Sequence, residues 1–456
     1  MSDYEKLLER YDRPGPRYTS YPTAPAWSDE FTDEDYLQRL KASGSRQDEE
    51  LSLYVHIPYC NEMCFFCGCT TIITQRHEKE EPYVDLVLAE ARLAHRAMGA
   101  SRPVAQHHWG GGTPTFLSPP MIEKLFLGLS ALFGLAEDAE VSIEVDPRVT
   151  TQDHLKTLKQ LGFNRISMGV QDFDDEVQKT INRIQSFEQT EAVVNGARDL
   201  GFVSVNLDLV YGLPHQTKES FGKTLERVYE LNPDRIACYS YAHVPWLKKH
   251  QRVIPEDSLP RGSDKLGLYL TALESFLSQG YVTIGMDHFA KADDELSIAA
   301  NDGSLHRNFM GYSTHPADEM ISFGMSSISE IDGAFSQNFK AISEWQSPID
   351  AGRLPVDRGL VRTPEDNRRR KLILDLMCRF KVEFVDHGGT EEFRRVYAAE
   401  LAALAPMVDD GLLRIADDRI DVTEIGRLFV RNICMTFDAH LDRDREQKGP
   451  KYSRTV

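Results

Sequence analysis

The sequence predicts an α/β fold in which a parallel sheet is covered by helices. Two observations carry this. Between residue 50 and about residue 290, short apolar strands alternate with helical periods, and repeated strand–helix units imply parallel strands joined by helical crossovers. The unusual polar residues of the same stretch fall at the C-terminal ends of those strands, where such sheets carry their chemistry. Periodicity alone does not separate a full or partial barrel from an open wound sheet.

In chain order the predicted strands are Leu53–Ile57, Ala105–Trp109, Val141–Val145, Arg165–Val170, Val203–Val210, Arg235–Tyr241 and Tyr281–Met286. Between them, Ser118 is placed to cap a helix with Pro119 at its first position and Ile122, Leu125, Leu129 and Leu132 on one face. Ser186 and Gln189 form a capping-box pattern ahead of Ala192, Val193 and Leu200. Leu266, Leu270, Leu273 and Leu277 recur at helical spacing before Gly280. Two segments flank this core. Residues 1–49 are charged and Pro-rich, with the aromatic, basic stretch from Pro14 to Pro22. Residues 356–456 begin a helix at the Thr363 cap and Pro364, continue through a helix near Thr390–Leu404, and show Leu412–Ile415 and Arg419–Val422 around a polar turn. Helix, helix, hairpin and helix resemble a winged-helix module, by fold analogy only.

The 456-residue length allows roughly two or three domains. No apolar stretch approaches the ~20 residues of a membrane span, and no apolar run follows the charged start Met1-Ser-Asp-Tyr-Glu-Lys6, so a cytoplasmic chain is expected. A net charge of −19 argues against nonspecific nucleic-acid binding and requires that any anionic substrate be met by locally placed Arg, Lys or His.

Four of the seven cysteines, Cys60, Cys64, Cys67 and Cys69, fall within ten residues after the first strand. Structural zinc would use two pairs across a longer loop, and no second pair is spaced to complete one; a disulfide framework suits neither the length nor the clustering. Iron–sulfur ligation is the leading reading. A Cys-x3-Cys-x2-Cys spacing can aim three thiolates at three corners of a four-iron, four-sulfur cluster and leave the fourth iron open for chemistry. Spacing also permits Cys69 as a fourth ligand. Cys238, Cys378 and Cys434 read as buried small hydrophobes. After the second strand, Gly110-Gly111-Gly112 lacks both the dinucleotide fingerprint and the phosphate-loop Lys. Beside the cysteine loop it reads as a bed for the amino-acid end of a small cofactor. Further along the rim lie Glu144 and Asp146, Gln171 and Asp172, Asp208 and Tyr211, and Tyr241, Ala242 and His243.

The cysteine loop after a first strand and Gly-Gly-Gly-Thr-Pro after a second are similar to the radical S-adenosylmethionine superfamily. The longer strings from Tyr54 to Cys60, His108 to Thr115, Glu144 to Pro147, Ser167 to Phe173, Asp208 to Pro214 and His306 to Phe309 resemble the oxygen-independent coproporphyrinogen III oxidases. The likeness runs from Gly15 to Arg431-Asn-Ile-Cys434. It implies a partial (β/α)6 TIM-like barrel over residues 50–355, an N-terminal segment (1–49) covering the active site, and the C-terminal, mostly helical domain. It implies that Cys60, Cys64 and Cys67 hold a 4Fe-4S cluster, with Cys69 beside it and not a ligand, and that Cys69 and Tyr54 have catalytic roles. Two S-adenosylmethionine molecules are implied: the cluster-bound one at Tyr54, Gly111, Glu144 and Ile328, the second at Phe66, Gly112, Thr113, Gln171, Arg183, Asp208 and Ala242. On residue type alone, Glu144 and Asp208 would equally serve as structural carboxylates. The implied reaction converts two propionates of coproporphyrinogen III to vinyl groups, giving protoporphyrinogen IX. The partners implied are a porphyrinogen and a low-potential electron donor such as flavodoxin or ferredoxin; a monomer without nucleic-acid or membrane partners is expected. Arg17, Arg183, His288, His306 and Arg307 are the candidates to meet the substrate's carboxylates. Met310 stands where relatives commonly have Gln, and the stretch 321–325 is less glycine-rich than usual. The rival readings are a heme-binding or heme-delivery protein on the same scaffold, whose members usually lack the extra cysteine and the Pro-Arg-Tyr-Thr-Ser-Tyr-Pro segment that are present here, and a radical enzyme acting on another substrate.

Overall fold

The computed structural model describes residues 3–315, 319–441 and 452–455. A twelve-stranded sheet organises it. Its strands in chain order are β1 (Leu51–Ile57), β2 (Val104–Gly111), β3 (Leu135–Val145), β4 (Arg165–Gln171), β5 (Ser204–Tyr211), β6 (Arg235–Ser240), β7 (Tyr281–Gly285), β8 (His288–Lys291), β9 (Met320–Phe323), β10 (Ile328–Ile331), β11 (Ala334–Asn338) and β12 (Val356–Val361). They lie side by side as β12-β11-β10-β9-β1-β2-β3-β4-β5-β6-β8-β7. Neighbours from β1 to β6 are parallel, and β9 adds a parallel strand on the far side of β1. The order has two ends, so the sheet does not close on itself, in keeping with a partial barrel.

The predicted strand Tyr281–Met286 forms over Tyr281–Gly285, but as half of an edge hairpin and not as a parallel strand. Met286 and Asp287 turn the chain at once, Met286 at φ 42°, and β8 returns antiparallel to both β7 and β6. Two residues leave no room for the crossover that parallel pairing requires.

Helices Glu80–Met98, Pro119–Ser130, Gln152–Gln160, Phe187–Asp199, Lys218–Leu231 and Ser263–Ser278 cover the outer face of the parallel strands. Their apolar stripes, such as Val84, Val87, Leu88 and Ala91 on the first and Ile122, Leu125 and Leu129 on the second, bury against the outward-pointing strand residues. The capping box predicted at Ser186 and Gln189 forms. Ser118 does not cap its helix: its N–H and its hydroxyl both donate to Glu80 Oε2, at 2.8 and 2.7 Å.

The N-terminal stretch has no core of its own. Leu8, Tyr11, Tyr18 and Tyr21 share an apolar cluster with C-terminal residues such as Leu372, Leu376, Phe384 and Phe393, whereas Phe31, Tyr36 and Leu40 join the main core. The C-terminal region starts with helix Pro364–Arg379, capped by Thr363. Three short helices over Thr390–Val396, Ala398–Ala403 and Ala405–Asp409 follow, with the three-stranded antiparallel sheet Lys381–Glu383, Arg419–Val422, Leu413–Ile415 and the helices Glu424–Leu428 and Val430–Thr436. Among the described residues no helix is long and apolar enough to cross a membrane.

Candidate active site

Strand alternation builds the site. Along β4, Ile166, Met168 and Val170 point to the helices and are buried, so Ser167, Gly169 and Gln171 face the other way. The same alternation turns Glu144 of β3, Asp208 of β5 and Tyr239 of β6 inward, and all six line one cleft of about 280 Å³. Cys60, Cys64, Phe66, Cys67, Cys69, Gly111, Gly112, Thr113, Asp146, Arg148 and Arg183 complete its walls. The structure therefore brings twelve of the fifteen predicted site residues to one cavity. Tyr54, Ala242 and Ile328 do not line it. Tyr54 stacks on His108, ring centroids 5.9 Å apart, and its hydroxyl donates to His56 Nδ1 at 3.2 Å. His56 Nε2 donates to the Thr70 carbonyl at 3.0 Å, which leaves Nδ1 as the acceptor, and burial keeps the ring neutral. Ile328 opens β10, its carbonyl accepting from Ser322 Oγ beside β1. Two rim residues turn away: Asp172 is fully buried and accepts from Gln216 Nε2, Thr224 Oγ1 and the Asp174 N–H, while Tyr211 packs in the main core.

The cysteine loop is held from both sides. The N–H groups of Gly112 and Thr113 donate to Ile57 and Tyr59 carbonyls, each at 2.8 Å, and Asn182 Nδ2 donates to Met63 O at 2.8 Å. From the segment after β6, Gln251 Nε2 donates to both Phe66 O (3.0 Å) and Ala242 O (3.2 Å), His250 Nε2 to Cys67 O (2.8 Å) and Lys248 Nζ to Cys69 O (3.0 Å). These three residues carried no motif in the sequence; only the fold brings them to the loop. The glycine run is required sterically. A Cβ on Gly110 would sit 2.9 Å from the Glu144 carboxylate carbon, on Gly111 2.5 Å from the His56 ring, and on Gly112 2.6 Å from Pro58 O. With the Gly111 N–H also engaged, on Glu144 Oε2 at 3.1 Å, the run offers a ligand close approach to bare backbone.

The charges are paired in a definite pattern. Asp146 accepts from Arg148 Nη2 at 2.7 Å and Arg183 Nη1 at 3.2 Å; burial works to raise its pKa, but the two guanidiniums outweigh it and hold it at about 2. Arg183 also donates to Gly169 O at 2.7 Å and lies 3.7 Å from Cys64 Sγ, while its buried Nε has no partner. For Glu144 too, burial works upward, but His108 and the Gly111 N–H prevail and hold it below the usual carboxylate range. Asp208 goes the other way. Burial, then repulsion from Glu144, raises it to about 7, against hydrogen bonds from Asn206 Nδ2 (2.7 Å) and Ser167 Oγ (3.3 Å). Within the loop, Cys69 donates to Cys67 sulfur, its backbone N–H at 3.4 Å, which holds the Cys67 thiol down at about 6 and raises Cys69, whereas burial pushes Cys60 up to about 11.

The raised Asp208 yields an expected result in the ligand-free protein. A carboxyl whose folded pKa lies above its ordinary value contributes stability below about pH 4 and loses it as pH rises through about 7. Asn does not titrate, so Asp208→Asn should gain thermal stability over the parent between about pH 5 and pH 8, on the order of a few °C. A Tm difference independent of pH over that interval would contradict the account.

Among the cationic candidates other than Arg183, Arg17 pairs with Asp287 and lies over the Tyr239 ring at 5.6 Å, and His288 Nε2 is 3.5 Å from the Tyr239 hydroxyl. Both therefore abut the cleft through Tyr239. Arg307 is buried over the Tyr312 ring at 4.6 Å, and His306 is half-buried in a short hairpin. The Met310 N–H donates to Asn308 Oδ1 at 2.8 Å. Residues 321–323 are not a loop: they lie in β9, where Ile321 and Phe323 are buried in the main core.

Among the described residues no three His, Cys, Asp or Glu side chains are grouped to hold a single metal ion. The cysteines instead border a shared cleft that holds an orphaned donor at Arg183 Nε, a donor set that fits a thiolate-held cluster with a polar ligand beside it. Fold and site together define a radical S-adenosylmethionine protein, and the model of the Radical SAM superfamily matches residues 54–228. The HemN C-terminal domain matches residues 363–429. The oxygen-independent coproporphyrinogen III oxidase of Salmonella typhimurium is 45% identical over 99% of this chain and 98% of its own length, and that of Escherichia coli is 43% identical over the same shares. A solved structure of the E. coli enzyme, described as a radical SAM enzyme, superimposes with TM-score 0.89 at 42% identity, covering 93% of this chain and 97% of that one. The chain belongs to the oxygen-independent coproporphyrinogen III oxidase family.

Proposed function

We propose that the chain carries out the oxidative decarboxylation of two propionate side chains of coproporphyrinogen III to vinyl groups, giving protoporphyrinogen IX without oxygen. The observation that carries this is the end-to-end match to those oxidases, 45% identical over 99% of the chain, on a chain whose cysteine loop and acidic rim share one cleft. Cys60, Cys64 and Cys67 would hold the cluster. With S-adenosylmethionine bound, that group would supply the hydrogen-abstracting radical chemistry needed at the propionate β-carbon.

The protein's part is binding and placement. Glu144, kept ionised, receives the ribose hydroxyls or ammonium of the cluster-bound S-adenosylmethionine between Tyr54, Gly111 and Ile328. Asp208, Arg183, Gln171, Phe66, Gly112, Thr113 and Ala242 receive a second molecule. The orphaned Arg183 Nε suits a carboxylate acceptor. Arg17, over Tyr239, closes the cleft from the N-terminal side and meets a substrate carboxylate. Cys69, whose N–H donates to Cys67 sulfur, would stand beside the cluster and steady the Cys67 thiolate by hydrogen bonding. The enzyme works as a cytoplasmic monomer fed by a low-potential carrier; the −19 charge supports the expectation that nucleic acid is not a partner.

Anaerobic incubation with coproporphyrinogen III, S-adenosylmethionine and dithionite, with products identified by mass, tests the proposal. Conversion to protoporphyrinogen IX is expected; unchanged substrate alongside intact cluster and cleaved S-adenosylmethionine would direct attention to another substrate. Cys69→Ser is expected to assemble a full cluster while turnover falls by roughly 10- to 100-fold, the usual cost of losing an outer contact to a metal ligand. Iron and sulfide counts as low as those of Cys64→Ser would instead make Cys69 a ligand.

A further inference from the structure

We propose that the segment after β6, residues 243–254, is the docking surface at which an acidic flavodoxin-type carrier delivers electrons to the cysteine loop. The proposal rests on the reading of the loop as a cluster site. Its basis is the segment's two-sidedness. Lys248, His250 and Gln251 reach inward and donate to the carbonyls of Cys69, Cys67 and Phe66, so the segment is the layer directly behind the loop. Outward it presents Trp246, Leu247 and Val253, which are 46, 59 and 60% exposed, with exposed Lys249 and Arg252 among them. A groove of about 350 Å³ runs between His243, Pro245, Trp246, Arg252, Ile254 and Glu256.

Large apolar side chains left together at a surface mark interaction sites, and aromatic and Arg side chains are the usual anchors. Charge selects the partner. A chain of net charge −19 repels an acidic carrier over most of its surface, so productive encounter needs a local basic field. The exposed Lys249 and Arg252 supply it. The acidic residue on the groove, Glu256, is 3.4 Å from Arg261, which offsets its charge. The apolar Trp246 and Leu247 suit a carrier that exposes the edge of a flavin ring. Each encounter passes one electron: the carrier is oxidised by one, the cluster held by the loop is reduced by one, and no group is exchanged.

The test uses the cluster-loaded enzyme under anaerobic conditions. Binding of oxidised flavodoxin is measured calorimetrically at low and high salt for the parent, the double variant Lys249→Glu/Arg252→Glu, and Trp246→Ala. S-adenosylmethionine cleavage is followed with reduced flavodoxin and, separately, with dithionite. The double variant should bind flavodoxin at least ~10-fold more weakly and lose the salt dependence seen in the parent, with a matching fall in flavodoxin-driven cleavage and no change with dithionite. Trp246→Ala should weaken binding and keep the salt dependence. Parent-like affinity and salt dependence in the double variant, an equal loss with dithionite, or sensitivity to ferredoxin but not flavodoxin would overturn the proposal. Failure of the parent itself to cleave S-adenosylmethionine with dithionite would sink the reading of the loop instead, whatever flavodoxin does.

Discussion

Cys60→Ser, Cys64→Ser and Cys67→Ser, made singly, should each abolish cluster assembly and reduce turnover to background, a larger loss than the roughly 100-fold cost of removing an outer contact to a metal ligand. A hydroxyl is a harder and less readily ionised ligand than a thiolate, and iron in such clusters is matched to soft sulfur. The geometry makes the effect local. The loop is anchored by bonds to its backbone, from Asn182 to Met63, from Gln251 to Phe66 and from His250 to Cys67, none of which uses the sulfurs. The variants should therefore fold like the parent by circular dichroism while iron and sulfide counting finds no full cluster. A full, reducible four-iron cluster in any of them would end the ligand assignment.

Asp208→Asn should lower formation of vinyl product by at least ~100-fold, because small misplacements of reacting groups cost orders of magnitude in rate. Asp208 lies on β5 beyond β4 from Glu144 of β3, and is assigned to the second S-adenosylmethionine. The spectroscopic change of the reduced cluster on adding S-adenosylmethionine should accordingly persist. Its loss, with the cluster intact, would move Asp208 to the first cofactor. Arg183→Ala is a less clean probe than its motif suggests, since Arg183 also bears on Asp146 and on Cys64 sulfur.

Much of this was legible in the chain because it is local. The cysteine spacing and the strand-end polar residues follow from short-range pattern, and five of the six parallel strands appear within two residues of their expected limits, β3 starting six residues earlier than expected at Leu135. What was missed is non-local or short. The four strands between residues 320 and 361 carried no clear alternating period, although Asp332-Gly333, both at positive φ, is the dipeptide a tight hairpin between β10 and β11 demands. The Ser118 cap failed because a distant carboxylate, Glu80, outcompeted the helix for its hydroxyl. Lys248, His250 and Gln251 are invisible as a group in sequence, since what unites them is three carbonyls about 180 residues earlier. The cysteines, Glu144 and Asp208 could be read as candidates, but the opposite tuning of the two carboxylates comes from burial and the nearby Glu144 charge at Asp208, and from His108 and the Gly111 N–H overcoming burial at Glu144, all of which only the fold sets.

The most direct measurement follows the hydrogen. The anaerobic enzyme is given coproporphyrinogen III deuterated at the β-carbons of its propionates, with S-adenosylmethionine and dithionite, and the 5′-deoxyadenosine is analysed by mass. The account predicts that deuterium appears in 5′-deoxyadenosine as the vinyl groups form. Vinyl product accompanied by 5′-deoxyadenosine that carries no substrate deuterium would contradict it.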